Sequence, residues 1–166
     1  MLADNHSSEI NAILEKYPAE HKRSAVMPLL YLAQREYGHI TPAALVEIAK
    51  LLDLDPTEVG SLVGFYTLYH DEAAGKYRIQ VCIDLPCALR GAEAFAQQLC
   101  DNLGIRLGQT TEDGLVTVEE VMCLAGCDRA PMFQVQDSEG IHYHENQTIE
   151  SAMELIDELK KRRGDG

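Results

Sequence analysis

Residues 77–87 read YRIQVCIDLPC, and residues 116–127 read VTVEEVMCLAGC. In the first stretch, Tyr77, Ile79 and Val81 alternate with polar residues, which predicts a strand that runs directly into a cysteine. The second stretch is extended from Thr117 to Met122 and also ends at a cysteine. Loops that follow strands are positions where a rigid scaffold holds ligands. The two stretches therefore predict two strands, each followed by a cysteine-bearing loop.

The residues that follow these stretches complete a small sheet with helices. An apolar stripe predicts a helix from Ala88 to Leu103. Segments 132–136 and 141–143 predict a hairpin that turns at residues 137–140. Thr148 can cap a last helix that runs to about Lys161. The order β-α-β-β-β-α indicates a small sheet with helices packed on it, as in thioredoxin-like folds.

The N-terminal part has a different pattern and predicts four short helices. Their cap, proline and glycine signals place them at 7–17, at about 23–37, and after Thr41-Pro42 and Asp55-Pro56. The aromatic residues Phe65, Tyr66 and Tyr69 that follow are expected to pack between helix and sheet. We therefore expect an α+β chain, with a helical domain over residues 1–75 and a sheet-bearing domain over residues 76–166.

Composition excludes several classes of function. The chain has 166 residues, of which 46% are hydrophobic, and its formal net charge is −13. Nucleic acid is therefore a poor candidate partner, because binding to its phosphates requires a basic protein surface. Its longest apolar run, 25–33, is too short to cross a bilayer, and its N-terminus does not read as a secretory signal. Because no glycine-rich phosphate-binding motif is present, we expect no NADH site in this chain alone.

The cysteines form two close pairs that predict a metal centre. Cys82 and Cys87 are spaced C-x4-C, and Cys123 and Cys127 are spaced C-x3-C. Zinc is usually held by tighter C-x2-C turns, so the spacing favours a [2Fe–2S] cluster. Structural zinc, a [4Fe–4S] cluster, and buried or disulfide-bonded pairs remain alternatives. In a chain without an export signal, clustered cysteines indicate a reducing compartment and metal or redox chemistry.

The neighbouring residues predict how this centre is supported. Cys87 precedes the helix expected from Ala88, and the positive end of that helix would lower the pKa of its thiol. Gly126 is expected to supply a positive φ in the second loop. Arg90 and Arg129 are placed to offset the negative charge of four thiolates.

Three further residues carry chemistry that this centre does not require. Cys100 lies at the edge of the apolar face of the helix at 88–103, and we expect it to pack in the core. His142 and His144 alternate in a strand and therefore share a face. We expect a solvated face there rather than metal ligands.

At this point the sequence resembles a known family. The segments KRSAVMPLLYLAQREYGHI (22–40), VGFYTLYH (63–70), CIDLPCALRG (82–91) and GQTTEDGLVTVEEVMCLAGCDRAP (108–131) resemble the E subunits of NADH:quinone oxidoreductases, respiratory complex I. The resemblance implies a thioredoxin-like [2Fe–2S] domain after an N-terminal helical bundle. It also implies that Cys82, Cys87, Cys123 and Cys127 are the four cluster ligands.

The resemblance further implies a function within an enzyme complex. The chain would be an oxidoreductase subunit that exchanges one electron with the FMN of a partner flavoprotein that also binds NADH. Other peripheral-arm subunits would assemble with it, in the cytoplasm at the inner face of the cell membrane. The same family includes diaphorase subunits of NAD-linked hydrogenases and formate dehydrogenases, which we keep as the alternative. A stand-alone ferredoxin-like carrier or a zinc-held adaptor is a further alternative.

Overall fold

The computed structural model describes residues 2–164, and the chain divides into two compact units. The first unit ends at Ala73 and the second begins at Ala74. Each unit has its own hydrophobic core, because the core residues of the first lie between Leu2 and Tyr69 and those of the second between Tyr77 and Leu159. The expected α+β class, with helices at the N-terminus, is confirmed. Within residues 2–164, no helix is both long enough and apolar enough to span a bilayer.

The first unit is helical. It contains α1 (Leu2–Leu14), a 3₁₀ helix (Ala19–Ala25), α2 (Val26–Tyr37), α3 (Pro42–Leu52) and α4 (Pro56–Phe65). The first helix begins earlier than predicted, at Leu2, with one non-helical residue at His6. The second α-helix begins later than predicted, at Val26. That start puts Pro28 in the first turn, where its missing N–H costs no helical hydrogen bond.

The predicted end signals at Gly38, Thr41 and Asp55 are confirmed, whereas the predicted cap at residue 7 lies inside α1. The hydroxyl of Thr41 accepts a hydrogen bond from the N–H of Ala44, which caps α3. Asp55 and Glu58 form a reciprocal capping box at the start of α4. Gly38 ends α2 with a φ of 75°, in the left-handed region that glycine adopts without strain.

The aromatic residues after α4 do not pack as predicted, because Tyr69 belongs to the core of the helical unit and not to the core that lines the sheet. Tyr69 is buried, its ring lies 4.9 Å from that of Tyr31, and its hydroxyl donates to the carbonyl of Met27. Phe65, in contrast, is 75% exposed and contacts only the edge of the Tyr66 ring in the aromatic cluster. The prediction that Phe65 is a packing residue is therefore wrong, because α4 ends at Phe65 and leaves its ring in solvent.

The second unit is a four-stranded sheet with helices. It contains β1 (Tyr77–Cys82), α5 (Leu85–Ala88), α6 (Ala92–Leu103), β2 (Val116–Val121), a 3₁₀ helix (Cys127–Arg129), β3 (Phe133–Gln136), β4 (Ile141–His144) and α7 (Ile149–Gly164). The strand order is β2-β1-β3-β4. β1 and β2 are parallel, whereas β3 is antiparallel to both of its neighbours. The predicted β3–β4 hairpin is confirmed.

The two faces of the sheet differ in chemistry. Ile79, Val118 and Val135 belong to the core that α6 and α7 also line. On the opposite face, Arg78 pairs with Glu119, and the amide of Gln80 donates to the same carboxylate. A polar face of this kind stays stable because its buried side chains are hydrogen-bonded.

The helix predicted from Ala88 to Leu103 is interrupted, and this changes the first cysteine loop. Gly91 adopts a φ of 85° and separates α5 from α6. The carboxylate of Asp84 accepts a hydrogen bond from the N–H of Leu85 and starts α5 earlier than expected. Cys87 therefore lies inside a short helix rather than before a long one.

Candidate metal centre

The parallel pairing of β1 and β2 brings the two cysteine loops to the same edge of the sheet. Cys82, the last residue of β1, is in register with Val121, the last residue of β2. The N–H of Cys82 donates to the carbonyl of Met132, and the N–H of Ile83 donates to that of Val121. Because both strands end at this edge, the loops that follow them lie side by side.

The four predicted thiols come together there as two close pairs. The sulfur atoms of Cys123 and Cys127 are 3.8 Å apart. The thiols of Cys82 and Cys87 share a hydrogen bond, and the thiol of Cys87 also interacts electrostatically with both thiols of the second loop. All five cysteines of the chain are free, so the disulfide alternative is not supported.

The two pairs differ in exposure. Cys82 and Cys87 are buried in a small core of their own, together with Ala92, Ala130 and Met132. Cys127 is half-buried, and Cys123 is exposed. The centre is therefore supported from beneath by the first loop and reached from solvent at the second.

The pKa of the Cys87 thiol contradicts the expectation that a helix N-terminus would lower it. Burial raises that pKa to about 12, and the neighbouring thiol of Cys82 adds to the increase. The hydrogen bond with Cys123 raises the pKa of Cys127 as well. The short α5 provides too small a dipole to outweigh the loss of hydration. Metal ions bind the thiolate, so metal binding here must displace protons.

The second loop adopts its tight turn at a different residue from the one predicted. Ala125 has a φ of 62°, whereas Gly126 has a φ of −111°. Gly126 is needed for space instead, because a Cβ atom there would collide with the sulfur of the buried Met132. The N–H of Ala125 donates to the sulfur of Cys123 at 3.3 Å. The turn therefore directs a backbone amide toward a sulfur atom.

Segment 129–131 is fixed on two sides. The carbonyls of Arg129 and Pro131 accept hydrogen bonds from the N–H groups of Asn146 and Gln147. The guanidinium of Arg90, from the first loop, donates to the carbonyl of Ala130 at 3.2 Å. These bonds hold the second loop against both the first loop and the segment after β4.

The two predicted arginines differ in their charge partners. Arg129 forms ion pairs with Glu145, at 2.6 Å, and with Asp128. The hydrogen bond with Glu145 raises the pKa of Arg129. Within residues 2–164, no carboxylate forms an ion pair with Arg90. Of the two predicted arginines, Arg90 is therefore the one whose charge no ion pair offsets within the described residues.

The remaining candidate residues lie apart from the four thiols. Cys100 is fully buried among the core residues beneath α6 and α7, as predicted, and burial raises its pKa.

His142 is exposed, but the His144 ring stacks on Phe133 with centroids 5.2 Å apart. The prediction of a solvated face is wrong for His144, because its side chain is half-buried against the ring of the core residue Phe133. Burial lowers the pKa of His144, and the nearby His142 lowers it further.

One residue at the site was missed by sequence reasoning. The carboxylate of Asp84 contributes to the raised pKa of Cys127, although the two residues belong to different loops. The aspartate before Leu85-Pro86 is a signal for a helix start, and recognising it would have placed a negative charge beside the first cysteine loop.

The donor set fits a binuclear iron–sulfur cluster. Within the described part of the chain, no group of three or more His, Cys, Asp or Glu side chains converges on a position for one metal ion. The thiols instead form two pairs, and a binuclear cluster needs two thiolates for each iron. Soft sulfur donors suit such clusters and zinc alike, and the pairwise arrangement favours two metal ions over one.

Sequence comparison shows what the chain is similar to. The family model described as thioredoxin-like [2Fe–2S] ferredoxin matches residues 10–160. The E 2 subunit of the NADH-quinone oxidoreductase of Rhizobium meliloti (strain 1021) is 43% identical over 138 residues, which are 83% of this chain and 79% of that protein. Subunit 2 of the NADH-quinone oxidoreductase of Thermus thermophilus is 43% identical over 134 residues, which are 81% of this chain and 74% of that protein.

Comparison with solved structures shows a similar fold in a larger protein. A chain of an NAD⁺-reducing [NiFe]-hydrogenase in the air-oxidised state superposes with a TM-score of 0.70 over 82% of this chain. The sequences are 21% identical, so the likeness concerns the fold alone. The present chain spans 23% of the length of that hydrogenase chain.

Proposed function

The chain belongs to the thioredoxin-like [2Fe–2S] ferredoxin family, and we propose that within it the chain serves as the E-type subunit of an NADH:quinone oxidoreductase. The single observation that carries this proposal is the arrangement of the four thiols. They form two close pairs, which lie on the loops after two parallel strands. The cofactor of the chain is a [2Fe–2S] cluster, and it supplies one-electron uptake and release when bound.

In this proposal, Cys82, Cys87, Cys123 and Cys127 are the cluster ligands. The buried pair would hold one iron in the small core, and the outer pair would hold the other beside solvent. Met132 and Ala92 pack under the buried pair and exclude water from that side. The amide of Ala125 already donates to a sulfur, which is a contact that stabilises negative charge on a thiolate.

The proposed partner is a flavoprotein subunit that binds FMN and NADH. A hydride donor releases two electrons together, whereas a cluster of this type takes one, so a flavin is required to separate them. The chain would hold one electron near that flavin, within a peripheral arm at the inner face of the cell membrane. Relatives named as NADH-quinone oxidoreductase subunits favour this assembly over the hydrogenase alternative.

An exposed aromatic patch on the helical unit supports an interface with that partner. The patch consists of Tyr31, Phe65 and Tyr66, all exposed, with the buried Tyr69 in ring contact with two of them. Tyrosine and phenylalanine are enriched in protein interfaces, because their rings bury a large apolar area at a small entropic cost. We propose that this patch seats the flavoprotein.

Affinity purification of the tagged full chain from its own cells tests the proposal. We expect iron and acid-labile sulfide at about two atoms each per chain, as a binuclear cluster requires. We also expect mass spectrometry to identify a flavoprotein and quinone oxidoreductase subunits among the co-purified chains. Zinc without sulfide would refute the cofactor, and hydrogenase subunits in place of quinone oxidoreductase subunits would favour the alternative.

A further inference from the structure

We infer that Arg90 is a positioning residue that holds the two cysteine loops together and supplies the uncompensated positive charge that makes the cluster easier to reduce. The inference rests on the proposed function, because it requires the [2Fe–2S] cluster at the four thiols. It goes further by assigning a residue that sets how readily the cluster accepts an electron.

The position of Arg90 follows from two hydrogen bonds. Its backbone N–H donates to the carbonyl of Cys87, which keeps the residue within one turn of the first cysteine pair. Its guanidinium donates to the carbonyl of Ala130, three residues after Cys127. Ala130 is buried in the same small core as Cys82 and Cys87. The guanidinium therefore lies where the two loops meet.

The charges around the site make Arg90 different from Arg129. Arg129 and Glu145 form a close ion pair, so their opposite charges largely cancel at a distance. Asp84 contributes a negative charge that acts on Cys127. Arg90 has no carboxylate partner in residues 2–164, so its positive charge is not offset by an ion pair.

This charge has a definite electrostatic effect. Reduction adds one electron, and hence one negative charge, to a centre that four thiolates already make negative. A nearby cation stabilises the reduced form more than the oxidised form and so raises the midpoint potential. The electron comes from the flavin of the partner in the assembled complex, and from dithionite in the experiment below.

The test uses the full chain with its cluster reconstituted from iron and sulfide. Iron and sulfide contents are measured first, and the midpoint potential is then obtained by a dithionite titration followed by electron paramagnetic resonance. In Arg90→Gln we expect a lower midpoint potential, with a shift that shrinks as salt is added, since the guanidinium is exposed to screening. Asp84→Asn should shift the potential upward, because it removes a negative charge and leaves an amide oxygen to cap α5.

Two control variants separate charge from packing. Arg90→Lys keeps the charge and should retain most of the potential of the unmodified chain. The double variant Arg129→Gln/Glu145→Gln removes an ion pair of zero net charge and should shift the potential much less than Arg90→Gln.

The remaining outcomes either support or overturn the role of the Arg90 charge. An unmodified chain that binds no cluster refutes the proposed function itself. The charge role is overturned if cluster-loaded Arg90→Gln has an unchanged midpoint potential. It is also overturned if the shift in potential does not depend on salt and Arg90→Lys shows the same shift. Loss of the cluster in Arg90→Gln but not in Arg90→Lys supports the charge role. Loss of the cluster in both variants overturns it, and Arg90 would then act only through its hydrogen bond to the carbonyl of Ala130.

Discussion

Cys87 and Cys123 show how differently two proposed ligands of one cluster are placed. Cys87 is buried and its pKa is raised to about 12, while Cys123 is exposed and accepts an amide hydrogen bond. Metal binding at such a buried thiol must displace its proton, because metals bind the thiolate. The exposed thiol of Cys123 lies on the side of the site that solvent reaches. The proposed site thus has one side that is buried from water and one side that solvent reaches.

Serine variants test the ligand assignment residue by residue. Replacing any one of the proposed ligands Cys82, Cys87, Cys123 or Cys127 by serine should abolish or greatly reduce cluster content, because a hydroxyl is a poor ligand for iron in a cluster. Cys100→Ala should keep the cluster and lower the free energy of unfolding by roughly 1–2 kcal/mol, as expected for lost core packing. Iron and sulfide analysis with chemical denaturation measures both. Loss of the cluster in the Cys100 variant would contradict the assignment.

Two glycines test how the backbone shapes the first cysteine loop. At both Gly91 and Gly64 an added Cβ meets no atom within 4 Å, but only Gly91 has a positive φ. Gly91→Ala should therefore destabilise the chain by about 1–2 kcal/mol, the usual cost of a left-handed residue with a Cβ atom. Gly64→Ala, the matched control within α4, should stabilise it by roughly 0.5–1 kcal/mol through helix propensity. Equal effects of both variants in thermal unfolding would contradict this explanation.

The cysteine spacing could be predicted from the sequence because it is a local chemical pattern, but several details of the loops could not. Positive φ occurs at Ala125 and not at the predicted Gly126, whose glycine instead leaves room for the buried Met132. The pairing of Arg129 with Glu145 also depends on the hairpin, which returns the chain to the second loop. Contacts between distant segments of the chain decide such details, and local patterns do not contain them.

At the scale of elements, α1 and α2 are joined by a polar network. Glu36 of α2 accepts hydrogen bonds from His6 and Asn5 of α1, and Arg35 donates to Glu9. The contacts with His6 and Asn5 lower the pKa of Glu36, and the contact with Arg35 lowers that of Glu9. Both carboxylates are exposed to water to a large degree, so their contribution is reduced by screening.

These lowered pKa values predict a pH dependence. A carboxyl group whose pKa is lower in the folded than in the unfolded state stabilises the fold at pH values above its ordinary pKa of 4.5. That contribution is lost as the pH falls from about 4.5 through the folded-state pKa. The stability of the helical unit should therefore decrease on acidification in this range. Denaturation measured by circular dichroism should show a weaker dependence in Glu36→Gln/Glu9→Gln than in the unmodified chain, and an identical dependence would refute the role of this network.

The elements themselves were largely predictable where their ends carry strong signals. Thr41-Pro42 and Asp55-Pro56 fixed two helix starts, because a cap and a proline at the first position act locally. The helix predicted from Ala88 to Leu103 is confirmed from Ala92 to Leu103 but is broken at Gly91, since its apolar stripe continues across that glycine and conceals the break. The spacing of apolar residues indicates which face of a helix is buried. It does not reveal a glycine with positive φ between two helices.

At the scale of the whole molecule, we propose that residues 1–75 and 76–166 are separate domains. The core residues of the second unit all lie after residue 76, and they include the small core under the cysteines. Residues 76–166 expressed alone should therefore fold and bind iron and sulfide in the same ratio as the full chain. Circular dichroism and metal analysis would check this. An unfolded fragment, or one that assembles no cluster, would contradict the proposed division.

The aromatic patch of Tyr31, Phe65 and Tyr66 gives a test of assembly that leaves the cluster unaltered. Phe65 is 75% exposed, so Phe65→Ala removes little packing from the fold, while an interface would lose a large apolar contact. We expect the affinity for the flavoprotein to fall by a factor of about 5 or more, as truncation of a buried aromatic anchor at an interface costs over about 1 kcal/mol. Calorimetric titration of the purified partner into cluster-loaded protein measures this change.

The matched control for that experiment is Val46→Ala. Val46 is also an exposed apolar residue of the helical unit, but it lies on α3 and outside the patch. Its removal should leave the affinity unchanged, because an apolar side chain that stays in solvent contributes nothing to binding. If both variants bind the flavoprotein as tightly as the unmodified chain, the partner does not seat on this patch. The exposed apolar residues Leu85, Leu89 and Met122, which adjoin the cysteines in the sequence, would then be the next surface to vary.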